Sequence, residues 1–378
     1  MKMMPLGGPA SPQASCGCGS TCPETPAGNS LRVIPGYDLN PFVEEFLETP
    51  VGRVPRVKTA LSRADWKGAL MARLGPGRND YKVSPGLYAV GSPDAGSPVL
   101  VTANYKLTFD ALRKELSGLS AWILVCDTKG VNVWCSAGKG AFSSEEVAAR
   151  IAATGLSEVV SHREVLLPQL AAPGVSAREV KRLSGFSVTW GPILSADIPR
   201  FLENGRKTEA AMREVPFGLS RRAVLIPVEL SHLGRPTLIF FAAAFLLSAL
   251  GAGFAAAWSR SLLLLSAYAG AVMAGAVAVP LLLPWIPGAA FSVKGLWTGL
   301  ALGLAAAFHF RAAIGSAEFL AMMLLTTALG SYLAMNFTGA TPFTGPSGVE
   351  REMRKAIPLQ AGAAVLALVL WVAAGFAR

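Results

Sequence analysis

The sequence predicts two joined folds: an α/β domain on a mostly parallel sheet with helices on both faces, then an all-α transmembrane domain of five helices. Three observations carry this expectation. Residues up to about Arg235 have mixed composition, whereas nearly everything from Thr237 to Phe376 is Leu, Ala, Val, Gly and Phe with few charges. Short apolar, partly β-branched runs alternate with single helical segments through Gly-bearing connections, the pattern of a parallel sheet covered on both faces. A length of 378 residues also exceeds the roughly 250–300 at which a single core stops growing. The expected boundaries are a leader at 1–30, the α/β domain at 31–235 and the helical domain at 236–378.

The leader is rich in Pro, Gly, Ser and Thr, lacks periodicity and reads as disordered. It holds Cys16, Cys18 and Cys22, three thiols that suit a soft metal but match neither a four-Cys zinc site nor an iron–sulfur run. A flexible thiol tail is the equal alternative. Met1 to Gly8 lacks the apolar core of a signal peptide, so the first domain is expected in the cytoplasm. Five cysteines, an odd number, fit a reducing compartment better than a disulfide scaffold.

Helices are predicted at Pro41 to Leu47 and Arg63 to Leu74, with turns at Pro35-Gly36, Gly75-Pro76-Gly77 and Ser84-Pro85-Gly86. Pro98 to Tyr105 and Ala121 to Asp127 read as buried strands, with a helix from Phe109 to Leu116 between them. Ser143 with Glu146 offers a capping box for a helix ending at Gly155. A strand from Glu158 to His162, a helix from Ala177 to Leu183 stopped by Gly185, a strand from Phe186 to Trp190 and a helix from Ile198 to Leu202 complete the domain.

Five uncharged runs follow, at Thr237 to Trp258, Ser261 to Leu283, Leu296 to Phe310, Phe319 to Phe337 and Ile357 to Phe376, against the ~20 residues a span needs. The third is short, and four spans plus a re-entrant segment is the alternative. Arg221, Arg222, Arg235, Lys294, Arg351, Arg354 and Lys355 fall on one side of the five, and Arg260, Arg311 and Arg378 on the other. That bias places the α/β domain in the cytoplasm, on the inner face of a cytoplasmic membrane, with the C-terminus outside. His309 is the one ionisable residue within the runs, so an anchor is expected rather than a coupled transporter. The formal charge of +10 is scattered, without a Lys/Arg stripe interleaved with aromatics, and does not indicate nucleic acid.

Ligands of such sheets sit beyond the carboxyl ends of strands, and beyond the Ala121 to Asp127 strand lies Gly130-Val131-Asn132-Val133-Trp134-Cys135-Ser136-Ala137-Gly138-Lys139-Gly140. Cys135 can be a soft metal ligand there, or a buried inert thiol. Ala137-Gly138-Lys139-Gly140 fails as a P-loop, since Val133 stands at its first glycine and Gly140 at its Ser/Thr. His162, His232 and His309 belong to no nucleophile-elbow pattern; His162 follows the Glu158 strand and is placed either in the ligand crevice or in a structural hydrogen bond.

The run Asn132-Val133-Trp134-Cys135-Ser136-Ala137-Gly138-Lys139 resembles the signature N-(V/I)-W-C-(A/S)-(A/G)-G-K of the membrane-bound corrinoid proteins of microbial mercury methylation, the HgcA family. Thr102-Ala103-Asn104-Tyr105-Lys106-Leu107, His162-Arg163 through Leu167-Pro168-Gln169, Ala172-Pro173-Gly174-Val175 and Asn336-Phe337-Thr338-Gly339 look like further family segments, so the likeness runs from about Pro98 to the C-terminus. That family is similar to the corrinoid domain of the corrinoid iron–sulfur protein of acetyl-CoA synthesis. The resemblance implies a Rossmann-like corrinoid-binding domain and a base-off, cobalamin-type corrinoid with Cys135 thiolate as lower axial cobalt ligand. Asn132, Val133, Trp134, Ser136, Ala137, Gly138, Lys139 and Asn104 would surround the cofactor: Trp134 packing on the macrocycle, Asn132 orienting the loop, Gly138 allowing close approach, Lys139 meeting the thiolate or a corrin amide. It also implies methyl transfer to Hg(II) from a methyltetrahydrofolate-linked donor, with a partner ferredoxin of two four-iron clusters as reductant. The absence of a D-x-H-x-x-G run agrees with a non-histidine ligand. Two alternatives stay open: a methyl carrier of acetyl-CoA and one-carbon metabolism, and a membrane thiol protein that binds soft metals through Cys16, Cys18 and Cys22.

Overall fold

The computed structural model describes residues 41–250, 253–338, 341 and 346–377, so the leader thiols lie outside the described residues. The α/β domain runs β1 (Val43–Thr49), β2 (Gly52–Val57), α1 (Arg63–Leu74), β3 (Gly86–Val90), β4 (Val99–Ala103), α2 (Lys106–Glu115), β5 (Ala121–Cys126), α3 (Val133–Gly138), α4 (Ser144–Ala153), α5 (Leu156–Val159), β6 (Glu164–Leu167), α6 (Ala177–Ser184), β7 (Ser187–Trp190) and α7 (Ile198–Glu203). Two short helices, α8 (Leu219–Ala223) and α9 (Ile226–Ser231), lead into the helical domain. There, α10 is Gly234–Ala249, α11 Phe254–Leu282 with a π-helical stretch at Met273–Ala278, α12 Phe291–His309, α13 Ser316–Phe337 and α14 Pro346–Phe376.

The seven strands form one mixed sheet in the order β1-β2-β3-β5-β4-β6-β7. Parallel pairing joins β2–β3, β5–β4, β4–β6 and β6–β7, while β1–β2 and β3–β5 are antiparallel. Burial explains why β5 carries no polar residue. Its Trp122, Leu124 and Cys126 face the core that packs Val147 and Ile151 of α4 and Val180 of α6. Its Ala121, Ile123 and Val125 face the opposite core, with Phe109 of α2 and Phe201 of α7. The period of two thus buries both faces, and the helices lie on both.

Local chemistry sets the helix ends. Ser62 accepts from Asp65 N at 3.2 Å while the Asp65 carboxylate accepts from Ser62 N at 2.8 Å, a reciprocal cap on α1. Gly185 closes α6 in the left-handed region at φ 76°.

Several expectations need correction. Residues 43–49 form β1 rather than a helix, because pairing with β2 supplies backbone partners that a short isolated helix lacks. The strand expected at Glu158 to His162 is replaced by α5, whose Leu156 and Val159 point into the core, and the strand begins later, at Glu164. The sheet keeps its parallel majority but is mixed.

Four helices in the second domain are long and apolar enough to cross a membrane, five if the bent pair Leu219–Ser231 and Gly234–Ala249 counts as one span. The first break falls before Phe254 instead of near Arg260, so Arg260 lies inside α11, 1 % exposed, and not in a loop. Its Nε stands 3.3 Å from Glu318 Oε1 of α13, and its guanidinium lies 5.0 Å from the Trp371 ring centre of α14. His309 is therefore not alone: a buried ion pair sits within the bundle. The third run lengthens to 19 residues by including Lys294, whose ammonium meets the carbonyls of Leu283 and Ile286 at 2.9 and 2.5 Å. Close glycine packing joins α12 to α13. A Cβ on Gly295 would stand 2.5 Å from Ala334 Cβ, and one on Gly299 2.9 Å from Thr327 Cα.

Candidate functional site

The carboxyl ends of β4 and β5 lie side by side, Ala103 opposite Cys126, so the loops that leave them begin in contact. Asn104, 2 % exposed, joins them. Its Oδ1 accepts from Thr128 N at 3.1 Å and Gly130 N at 2.9 Å, with the Thr128 hydroxyl at 2.9 Å, and its Nδ2 donates to Asp127 Oδ1 at 3.1 Å. Within this loop Lys129 and Gly130 both take positive φ, 57° and 73°, a conformation unfavourable for lysine that the Asn104 bonds hold in place. Glu146 Oε1 accepts from Asp127 N at 2.7 Å and from Arg150 Nη2 at 2.8 Å. The expected capping box on α4 is therefore half realised: Ser143 accepts from Glu146 N at 3.3 Å, but the glutamate serves the loop instead of the cap.

The loop delivers the chain to α3. Asn132 Oδ1 accepts from Cys135 N at 2.8 Å, and the Ser136 hydroxyl donates back to Asn132 O at 2.6 Å. Val133, Ser136 and Ala137 are buried, whereas Trp134, Cys135, Gly138 and Lys139 are exposed. Helical spacing puts those four on one outward face. Trp134, a large apolar group, leaves 44 % of its surface to solvent. A Cβ on Gly138 would meet nothing within 4 Å, so the ground beside Cys135 is open. Within the protein the tight glycine contact on α3 is at Gly174, where a Cβ would lie 2.7 Å from Ala137 O and 2.8 Å from Ala137 Cα.

Beyond α3, at the carboxyl ends of β4, β6 and β7, opens a mainly apolar cavity of about 570 Å³. Asn132, Val133 and Trp134 form one wall, Tyr105 and Pro168 others, and Arg221 of α8, in the linker, lines its edge. Chain order β5-β4-β6 makes this the point where the winding reverses, where open α/β sheets take ligands. An exposed thiol, an exposed indole and an adjoining cavity fit a flat, largely apolar cofactor with a soft metal centre.

The other thiol differs. Cys126 is fully buried in the sheet, and burial pushes its thiol far above the ordinary cysteine range, which makes it inert. His162 is structural: Nε2 meets Ser97 O at 2.9 Å and Nδ1 accepts from Glu164 N at 3.3 Å, at the amino ends of the strands, away from the crevice. Among the described residues no three His, Cys, Asp or Glu side chains gather as a metal site. Asn104 stands behind the loop and not at its surface. Arg221 escaped the sequence reading, where it counted only toward membrane orientation; Gly174 was visible there only as part of a family-like segment.

Residues 75–202 match the family CO dehydrogenase/acetyl-CoA synthase delta subunit. The acetyl-CoA decarbonylase/synthase complex subunit gamma of Methanopyrus kandleri is 38% identical over 128 residues, covering 33% of this chain and 27% of that protein. The corresponding subunit of Methanocaldococcus jannaschii is 36% identical over 129 residues, covering 34% and 26%, and that of Archaeoglobus fulgidus 35% over 128 residues, covering 33% and 27%. The chain thus spans about a quarter of these curated relatives' length. The family match takes in β3 to α7 except the last residue of α7. The segment matched by the family model holds Asn104, Cys135 and the cavity walls from β4, β6 and β7.

Proposed function

We propose that this chain is a membrane-bound, corrinoid-dependent methyl-transfer protein that methylates Hg(II), with Cys135 as the thiolate that would hold the cobalt of a cobalamin-type cofactor. The observation that carries the proposal is Cys135 itself, exposed beside exposed Trp134 and open Gly138 on a helix aimed out of the sheet's ligand-binding end. When bound, the corrinoid supplies a cobalt ion that carries the methyl group.

The remaining work falls to the chain. Cys135 would hold the cobalt through a soft thiolate, a stronger electron donor than a neutral imidazole. Trp134 would pack against a macrocycle, Gly138 would leave room for it, and Lys139 would meet the thiolate charge or an amide. Asn132 holds α3 at the angle that presents the thiol, and Asn104 holds the loop behind it. The methyl group would come from a methyltetrahydrofolate-linked donor, and a ferredoxin with two four-iron clusters would restore the reduced cofactor. The apolar helices would hold the α/β domain on the cytoplasmic face of the membrane, C-terminus outside.

A second reading rests on a different observation. The similarity of residues 75–202 to acetyl-CoA synthase and decarbonylase/synthase subunits supports, more directly than it supports mercury chemistry, a methyl carrier that delivers to a carbonyl-processing complex. The Trp-Cys motif and the apolar helices favour Hg(II).

One experiment separates them. The full chain, reconstituted with cobalamin, a low-potential reductant and a methyltetrahydrofolate-linked methyl donor, is given Hg(II) and assayed for methylmercury, and separately for methyl exchange with a carbonyl-processing complex. Methylmercury from the wild type, lost in Cys135→Ala, supports the first reading; exchange without methylmercury transfers the protein to the second. Undiminished methylmercury from Cys135→Ala would end the ligand role.

A further inference from the structure

Helix α1 has two contrasting faces. Asp65, Ala69 and Ala72 are buried, and Tyr81 closes on Gly68, where a Cβ would stand 2.5 Å from the phenol oxygen. Arg63, Trp66, Lys67, Leu70 and Met71 are exposed, and their spacing of three and four residues sets them on one stripe. Trp66 leaves 61 % of its surface uncovered, Leu70 54 % and Met71 40 %. Large apolar groups clustered on an outer face mark an interaction surface. The segment from Arg63 to Arg78 has one acid, Asp65, whose buried carboxylate is held by Lys106 at 2.6 Å and Arg113 at 3.0 Å. Its exposed charges, Arg63, Lys67 and Arg78, are all positive.

The place of α1 in the molecule indicates what this face meets. Its carboxyl end adjoins α9: a Cβ on Gly75 would stand 3.8 Å from Ser231 Oγ, and α10 begins three residues later, at Gly234. The linker that carries α9 is pinned to the bundle. Phe217 stands 6.3 Å, centre to centre, from Phe337 of α13, and Arg222 of α8, 4 % exposed, donates through Nη1 to the carbonyls of Pro280 and Leu281, each at 3.2 Å. With its 16 residues, α10 is about 24 Å long, against about 40–45 Å for a bilayer with its headgroups. A headgroup layer around this helix therefore extends past Gly234, over α9 and the adjoining end of α1.

On the membrane-bound reading given above, we propose that α1 is an interfacial helix: Trp66, Leu70 and Met71 enter the boundary between headgroups and acyl chains of the inner leaflet, and Arg63 and Lys67 meet the phosphates of anionic lipids. Tryptophan suits that boundary because its ring is apolar while its N–H stays among hydrated groups. Basic side chains gain from the negative potential of the leaflet. This second attachment, besides the linker, restrains rotation of the α/β domain over the membrane and so fixes how Cys135 faces the bilayer.

The test introduces a benzophenone-bearing phenylalanine, one site at a time, in place of Leu70, of Leu183 or of Leu246. Leu183, 43 % exposed, is on α6, on the sheet face opposite α2; Leu246, 67 % exposed, is on α10. The full chain is placed in nanodiscs of phosphatidylcholine with or without phosphatidylglycerol and illuminated, and phospholipid adducts are read by mass spectrometry. Position 70 should give several times the adduct yield of position 183, and more with phosphatidylglycerol. Arg63→Gln with Lys67→Gln should lower the yield at 70 in the anionic discs, by up to about fivefold for each charge removed, and leave position 246 unchanged. Adducts at 246 with none at 70 overturn the inference and leave the membrane reading standing. A cross-link from 70 to a second copy of the chain in place of lipid also overturns it, by making α1 a dimer face. Equal yields at 70 in the two lipid mixtures, or no loss in the double variant, overturn the assignment of Arg63 and Lys67 to anionic lipid. Absence of adducts at both 70 and 246 removes the membrane reading itself.

Discussion

Asn104 shows how one buried amide can organise a site it does not enter. Three backbone or hydroxyl groups of Thr128 and Gly130 meet its Oδ1, and Asp127 takes its Nδ2. Replacing it by Ala strands buried N–H donors, so Asn104→Ala should lower stability by roughly 1–3 kcal/mol and loosen the positive-φ pair at Lys129 and Gly130. Chemical denaturation measures the first effect. Corrinoid affinity measures the second, which Asp127→Ala, at the edge of the same network, should reproduce more weakly. Cys135 and Cys126 differ for an equally local reason: nine residues apart, one is on the outward face of α3 and the other lies inside the sheet.

Between elements, close approach matters more than side-chain chemistry. Gly174 lets the segment after β6 lie against α3, and a methyl group there would strike Ala137 and Phe142 backbone atoms. Gly174→Ala should cost about 1–3 kcal/mol and displace α3; a variant with wild-type melting and wild-type corrinoid spectrum would show the contact to be slack. Farther from the site, α1 and α2 are locked by two acids and two bases. Lys106 Nζ meets Asp65 at 2.6 Å and Asp110 at 2.7 Å, and Arg113 meets Asp110 at 2.8 Å and Asp65 at 3.0 Å. Burial alone would raise the Asp65 carboxyl, but hydrogen bonds from Lys106 and Ser62 outweigh it and hold the group well below the usual aspartate range. A carboxylate lowered in the folded state stabilises above the unfolded value of ~3.9 and loses that contribution as pH falls. Denaturant midpoints should therefore drop as pH falls from about 5 toward 2, and Asp65→Asn, less stable at neutral pH, should flatten that part of the profile.

At the scale of the whole molecule, the bundle is keyed by the Arg260–Glu318 pair under Trp371, which ties α11, α13 and α14. Glu318→Leu leaves a buried guanidinium without its carboxylate, and such breaks cost about 3–5 kcal/mol. The melting temperature in detergent should fall, and Arg260→Met added to Glu318→Leu should recover part of the loss; additive losses would mean that the pair is not the key.

The order of apolar runs was enough to establish an α/β region with buried strands followed by long apolar helices, because burial on both faces of a sheet and the length of an apolar helix leave periods that survive in one dimension. It also marked the stretch from Asn132 to Lys139, since a Trp-Cys pair just past a strand end is a local pattern. Pairing direction, the strand at 43–49, the displaced break before Phe254 and the burial of Arg260 needed the tertiary structure: each depends on a partner far away in the chain. Residues 221 and 222 make the point most plainly. Two adjacent arginines look alike in sequence, yet one ends in helix carbonyls and the other is exposed at the edge of a cavity, because only the docking of α8 gives its two faces different surroundings.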